Sequence, residues 1–245
     1  MKRSISIVLV ILLVVTSTLL LVACYGGISN EEDWEKAFDA YKTCDKITLK
    51  IEDNNKTINY VHDKERLISK VEISFDAQKG VVFISMNYSR RNFWETETAG
   101  GTYEMYYVLE DTNVIFYRRY LGKYSQDWNH RTTTEFDSKE EAAEYLRDKY
   151  LHPVDIDERE FPSIFDFAYK DITSKSFGKF ESKTSDNRFN YTRTLNFSKN
   201  MPTKFTYQHK SVTSSVDDSR KFTMTVKYTA SISLPNDLPD TDRVE

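Results

Sequence analysis

The chain has little of what marks loop-rich, disulfide-bonded or cation-rich proteins. Its 245 residues include 7 glycines, 5 prolines and 2 cysteines. So few glycines and prolines, beside 16 tyrosines and 15 phenylalanines, favour regular β-structure joined by polar turns. The formal net charge is −4, which argues against nucleic acid as a partner because that binding depends on an excess of positive charge.

Motifs for catalysis, metal binding and phosphate binding are also missing. No serine lies in a Gly-x-Ser-x-Gly sequence, and the glycine pairs at 26–27 and 100–101 are interpreted as turns. The acidic run Asp155–Glu158 lacks the glycine and the spacing of a calcium loop. The four histidines show no metal-ligand spacing: they are His62, His130, His152 and His209. We therefore predict no catalytic residue, no metal site and no cofactor.

The first 23 residues have the form of a secretory signal. Lys2 and Arg3 precede a mainly apolar run from Ile5 to Val15, which Leu19–Val22 extends. The segment is also about long enough to be an uncleaved transmembrane helix. The polar residues at 16–18 and the cysteine that ends the segment favour cleavage instead.

The sequence Leu21-Val22-Ala23-Cys24 resembles the lipobox of bacterial lipoproteins. In that family the cysteine thiol receives a diacylglyceryl group, and cleavage makes this cysteine the first residue of the mature chain. The resemblance implies a signal peptide at 1–23, lipidation of Cys24, and a location on the extracytoplasmic face of the cell membrane. A thiol suits this role because it is nucleophilic near neutral pH, and two or three acyl chains hold a protein more firmly than one.

Lipidation of Cys24 leaves Cys44 as the remaining thiol, without a partner for an internal disulfide. We interpret Cys44 as a small buried hydrophobic residue, and an exposed reactive thiol is the alternative. Residues 24–30 are predicted to be a lipidated tether, 31–235 a single α+β domain, and 236–245 a disordered polar tail.

Apolar periodicity predicts three helices. Trp34, Ala37, Phe38 and Tyr41 share one face of an N-terminal helix over Glu31–Thr43. Two further helices are predicted in mid-chain. One begins at a capping box formed by Ser138 and Glu141. The other covers Phe161–Ile172 and has Pro162 in its first turn.

Alternating apolar residues predict about seven strands between the first two helices and four strands after the third. The predicted turns among the first seven include Asp53–Asn55, Asp76–Gly80 and Ala99–Gly101, and the last strand is predicted over Lys221–Leu234. Short turns between consecutive strands favour an antiparallel meander.

The predicted fold class is α+β, a curved antiparallel β-sheet (half-barrel) with the N-terminal helix and the two mid-chain helices packed on it. This order of elements resembles the half-barrel of lipoprotein carriers and related lipid-binding lipoproteins. Cystatin-like and lipocalin-like sheets are the alternatives.

Aromatic residues crowd into one third of the chain. The ordinary explanation is that these rings fill the core and pair across strands. The functional alternative is an apolar groove that accepts a lipid or another protein. The candidate ligand-binding residues are Trp94, Tyr103, Tyr107, Phe116 and Trp128.

The sequence is compatible with three functions. The first is a non-enzymatic surface lipoprotein that binds an apolar ligand or a protein partner. The second is a membrane-surface hydrolase, which requires acidic, histidine or serine side chains converging in one pocket. The third is a structural or signalling lipoprotein without a small ligand, which requires a fully filled inner face.

Overall fold

The computed structural model describes residues 27–58, 64–92, 99–122, 127–128, 130–154, 160–176, 178–212, 218–229 and 231–239. The predicted signal peptide, lipobox and Cys24 lie outside these ranges. Within them, neither helix combines the length and the apolar character needed to cross a membrane.

The described ranges contain two α-helices and eleven β-strands. The helices are α1 (Glu31–Lys42) and α2 (Lys139–Leu151). The first six strands are β1 (Lys46–Ile58), β2 (Lys64–Asp76), β3 (Val81–Asn92), β4 (Ala99–Glu110), β5 (Asn113–Leu121) and β6 (His130–Glu135). The last five are β7 (Ser174–Ser176), β8 (Lys179–Ser185), β9 (Phe189–Ser198), β10 (Met201–Ser211) and β11 (Ser219–Tyr228).

All these strands form one open, curved antiparallel sheet, in the order β6-β5-β4-β3-β2-β1-β11-β10-β9-β8-β7. The chain makes two meanders, which join where β1 pairs with β11 from Ile47–Tyr228 to Lys56–Ser219. Both helices pack on the same face, here called the inner face, and the opposite face is the outer face. The predicted curved antiparallel sheet is confirmed.

Helix α1 forms where the sequence predicts it. Asn30 caps the helix by accepting a hydrogen bond from the Asp33 amide at 2.9 Å, and the first turn is acidic, which suits the positive end of the helix dipole. The residues that this helix buries are Trp34, Ala37, Phe38 and Tyr41. They are the residues whose spacing predicted the apolar face.

Helix α2 also begins at its predicted cap. The Ser138 hydroxyl accepts a hydrogen bond from the Glu141 amide at 3.2 Å. The Glu141 carboxylate reaches back to the amide of Asp137, also at 3.2 Å, which is one residue earlier than a capping box requires. The buried residues Ala142, Leu146 and Tyr150 place this helix over strands β2 to β5.

The predicted helix over Phe161–Ile172 is wrong. The chain forms two 3-10 turns there, Ile164–Asp166 and Tyr169–Asp171, with extended backbone between them. The residues that become buried are Phe161, Ile164 and Phe167. In 3-10 geometry, residues three apart lie on the same side, which suits the spacing of these three side chains. An α-helix advances about 100° per residue, so it would place Phe167 about 120° around the axis from Phe161.

The predicted turn at Asp53–Asn55 is wrong as well, because β1 continues through it. Asp53 is 4% exposed and lies opposite Phe222 of β11. The guanidinium of Arg220 binds its carboxylate, which allows an acidic residue to remain in a buried strand. The two strands predicted on either side of this turn are therefore one strand, β1, whereas β6 was not predicted.

The residues Ala99–Gly101 form the start of β4, not the predicted turn. A side chain at Gly101 would meet the Tyr120 ring at 2.3 Å, and one at Gly100 would meet the Tyr88 carbonyl oxygen at 2.7 Å. The Tyr120 hydroxyl also donates a hydrogen bond to the Gly100 carbonyl at 3.2 Å. These glycines therefore permit close packing within the sheet.

The outer face of β3–β5 carries an apolar cluster of its own, separate from the core beneath the helices. The segment from Ile232 to Leu238 covers it. The buried members of the cluster are Val81, Phe83, Tyr106, Val108, Ile115 and Tyr117. The last predicted strand ends early, at Tyr228, and Ile232, Leu234 and Leu238 pack on this cluster instead. Extending the strand would have left those apolar side chains without this cluster to contact.

An ion-pair network fastens this C-terminal segment. Arg119 Nε donates to a Glu104 carboxylate oxygen at 2.7 Å, and its Nη1 donates to Asp237 at 2.5 Å. The hydrogen bond from Arg119 holds the pKa of Asp237 below its usual range. The sequence predicts a disordered tail over 236–245, but Asp237 and Leu238 contact the sheet. Residues 240–245 lie outside the described residues.

Candidate functional site

A cavity on the inner face opens between β3–β6 and helix α2. Its volume is about 590 Å³, within the usual range for small-molecule sites. We call it the inner cavity. It is lined by Met86, Tyr103, Met105, Tyr107, Val114, Phe116, Arg118, Thr132, Thr134, Tyr145, Lys149 and Val154.

Strand alternation explains why these residues share one surface. Tyr103, Met105 and Tyr107 are every second residue of β4 and therefore point to the same side. Register pairs Tyr107 with Phe116 of β5, and their ring centroids are 4.7 Å apart. Tyr103 stacks on Tyr88 of β3, and their ring centroids are 5.8 Å apart. The rings therefore form a row along one wall of the cavity.

Helix α2 supplies the opposite wall. Tyr145 and Lys149 lie one helical turn apart, and the Lys149 ammonium is 3.9 Å from the centroid of the Tyr145 ring. The same ammonium is 5.6 Å from the Tyr107 ring centroid, so it links the two walls by cation–π contacts.

The charge in the inner cavity has one sign. Lys149 and Arg118 are its charged lining residues, and none of the described residues that line it is acidic. Burial raises the pKa of Tyr107, so its phenol stays neutral and keeps its proton to donate. The cavity thus combines aromatic and thioether surfaces with two cations and polar hydroxyl groups.

The structure brings together three of the five aromatic residues that the sequence suggested. Tyr103, Tyr107 and Phe116 line the inner cavity. Trp128 lies on the outer face, where its indole N–H donates to the Asp237 carbonyl at 2.9 Å and its ring packs on Arg119. Trp94 lies outside the described residues.

Sequence reasoning missed the methionines and the helix residues of the cavity. Met86 and Met105 carry the same period-two signal as their aromatic neighbours, so alternation along β3 and β4 could have found them. Lys149 gives no such signal, because only the packing of α2 across the strands brings it to the cavity.

A second, polar cavity of about 300 Å³ lies over β9–β11. Arg220 borders it and binds the buried Asp53, donating from Nε at 3.0 Å and from Nη2 at 2.8 Å. Both carboxylate oxygens are engaged, since Nε also reaches the second oxygen at 3.1 Å. Asp53 therefore acts as a structural counter-ion and not as a free general base.

Cys44 is half-buried beneath helix α2. Its sulfur is 3.7 Å from the Tyr150 hydroxyl, and Arg147 donates to its carbonyl oxygen at 3.1 Å. Burial raises the pKa of the Cys44 thiol, which keeps it protonated and weakly nucleophilic near neutral pH. Cys44 is thus less buried than the small hydrophobic residue that the sequence predicts, and its thiol faces the Tyr150 hydroxyl. Within the described ranges, no group of His, Cys, Asp and Glu could hold a metal ion.

Comparisons with known proteins assign no family. No family model matches the chain, and no curated protein matches it. Among solved structures it is similar to an S-type phycobiliprotein lyase, CPES, from Guillardia theta, at 10% sequence identity and a TM-score of 0.22. That match covers 84% of this chain and 100% of the other, and at such a TM-score we draw no conclusion from it.

Proposed function

We propose that this protein is a non-enzymatic, lipid-anchored surface protein that holds an amphiphile with an anionic head in its inner cavity. The observation that carries the proposal is the lining of the cavity, in which aromatic and methionine side chains stand beside Lys149 and Arg118. The anchoring part depends on the resemblance of Leu21–Cys24 to a lipobox.

The lining fits an amphiphile better than a purely apolar or a purely ionic ligand. Met86 and Met105 are unbranched and adaptable, so they accommodate a flexible acyl chain. A carboxylate or phosphate head pairs with Lys149 and Arg118 without repulsion from any described lining residue. The curved sheet then serves as a half-barrel that holds the ligand against helix α2.

The inner cavity predicts a charge-dependent affinity that Lys149→Gln tests. We expect this variant to bind a fluorescent fatty acid about tenfold more weakly, because a charge-assisted hydrogen bond contributes roughly 1.5–3 kcal/mol. The corresponding fatty alcohol should bind wild type and variant equally. Fluorescence titration of the two probes measures both affinities.

Lys139→Gln is the matched control, since it removes the same charge from the exposed start of the same helix. Thr132→Trp should abolish binding of both probes by filling the cavity from β6. If neither probe binds wild type, or if both lysine variants weaken the acid equally, the cavity is not the ligand site.

Lipid anchoring predicts that Cys24→Ala leaves the membrane fraction of a bacterial host or accumulates with its first 23 residues attached. The reason is that the thiol is the atom that would carry the diacylglyceryl group. Fractionation, labelling with palmitate and the intact mass measure these results. Cys44→Ala is the control and should stay anchored and labelled. Normal cleavage and anchoring of Cys24→Ala would show that the lipobox interpretation is wrong.

A further inference from the structure

The outer face of the sheet holds a long polar trough, away from the inner cavity. It consists of two adjoining depressions of about 720 and 380 Å³ that share Thr192 and Gln208. The trough crosses β2, β1, β11, β10, β9 and β8, which are neighbours in the sheet. With strands about 4.8 Å apart, it extends roughly 24 Å.

The trough is strongly basic although the chain as a whole is acidic. The cations along it are Lys56, Arg66, Lys179, Lys204, Lys210 and Lys221. Among its described lining residues the one carboxylate is Glu181, whose oxygens lie 2.7 Å from the Lys183 ammonium and 3.9 Å from that of Lys179. Arg220 also borders the trough, but its guanidinium is bound to Asp53. This local excess of positive charge contrasts with the formal net charge of −4.

Neutral hydrogen-bonding groups fill the spaces between the cations. They are the amides and hydroxyls of Asn54, Asn190, Thr192, Thr194, Asn196 and Gln208. Such groups both donate and accept, so they suit a partner that carries hydroxyl groups as well as charge.

We propose that this trough binds a linear, hydroxyl-rich polyanion, either a polyol phosphate or an acidic glycan. Repeated negative charges along a chain match cations that are spread over six strands, and release of counterions then contributes to the affinity. Single-stranded nucleic acid fits less well, since no Phe, Tyr or Trp lies among the described lining residues to stack on bases. A flat bilayer fits less well because the cations border a recess.

The test uses the full chain in a non-ionic detergent, with four probes of equal total charge. They are poly(glycerol phosphate), polygalacturonate, a single-stranded DNA oligomer and phosphatidylglycerol vesicles. The trough variant, which should lose affinity, is Lys204→Gln/Lys210→Gln/Lys221→Gln. Its charge-matched control is Lys79→Gln/Lys139→Gln/Lys170→Gln. All six lysines are exposed, so both triple variants should fold, which circular dichroism checks.

For wild type we expect log K to fall with log salt at a slope of about −4, from roughly 0.7 per charge contact. The trough variant should show a slope of about −2 and at least tenfold weaker binding at 50 mM salt, while the control triple matches wild type. The better of the two polymers then identifies the phosphate or the glycan. Thr132→Trp should bind these polymers normally, which separates this proposal from the inner cavity.

Two results would overturn the proposal. One is equal weakening in both triple variants, which indicates diffuse electrostatics. The other is binding of DNA or vesicles as tight as that of both polymers, which assigns the trough to a different kind of partner.

Discussion

Trp34→Ala is expected to lower the free energy of unfolding by about 4 kcal/mol, within the usual range for truncating a buried tryptophan. Trp34 is 5% exposed, and its ring contacts five others. They are Phe38, Phe167, Tyr169, Phe180 and Phe197, with centroid distances of 5.1 to 5.8 Å. These rings belong to α1, the 3-10 segment, β8 and β9, so one truncation loosens four elements at once.

Urea unfolding monitored by circular dichroism measures this loss. Globular domains are usually stable by about 5–15 kcal/mol, so the variant should lose a large part of its stability. Trp34→Phe is the matched control, and we expect it to lose less than half as much because it keeps a ring in the same place. A loss below about 1 kcal/mol for Trp34→Ala would mean that the ring cluster does not fasten α1 to the sheet.

Arg119→Ala is expected to lower the free energy of unfolding by about 3–5 kcal/mol, because it leaves the Glu104 carboxylate buried without its partner. The Arg119 and Glu104 side chains are only 8% and 12% exposed. The same variant also removes the contact to Asp237 and the surface on which Trp128 packs. Hydrogen exchange of residues 231–239 should therefore accelerate together with the loss of stability.

Asp237→Asn separates the contribution of the Arg119–Asp237 ion pair from that of the Arg119–Glu104 ion pair. The Asp237 side chain is 63% exposed, so its ion pair should contribute less than about 1 kcal/mol. We expect Asp237→Asn to accelerate exchange at 231–239 with little change in global stability. The double variant Glu104→Gln/Arg119→Met should recover part of the loss. If Asp237→Asn is as destabilising as Arg119→Ala, the buried charge on Glu104 is not the cause.

Local patterns predicted the elements whose signals lie within a few residues. The spacing of Trp34, Ala37, Phe38 and Tyr41 predicted both α1 and its buried face, and Ser138 predicted the start of α2. Asp53 failed as a turn signal because its partner, Arg220, lies in the far half of the chain. Such a pairing depends on the sheet order, which no local pattern contains.

The lining of the inner cavity was predictable only where it depends on alternation along a strand. Alternation along a strand placed Tyr103 and Tyr107 on one face, and register added Phe116. The aromatic character of Trp128 could not show which face of the sheet it covers, because Trp128 belongs to no strand and its position depends on Arg119 and Asp237. The contribution of Lys149 likewise required the packing of α2.

The pairing of β1 with β11 also has a consequence for how the chain folds. Ile47 pairs with Tyr228, so every residue between them must be present before the two meanders can join. Contacts between such distant residues slow folding, since a long loop must close before they form. Each meander can collapse early on local hairpins, but the sheet becomes continuous only in a late step. Until then, the edges of β1 and β11 that later pair with each other stay open to wrong partners. The interval before closure is therefore the period of greatest aggregation risk.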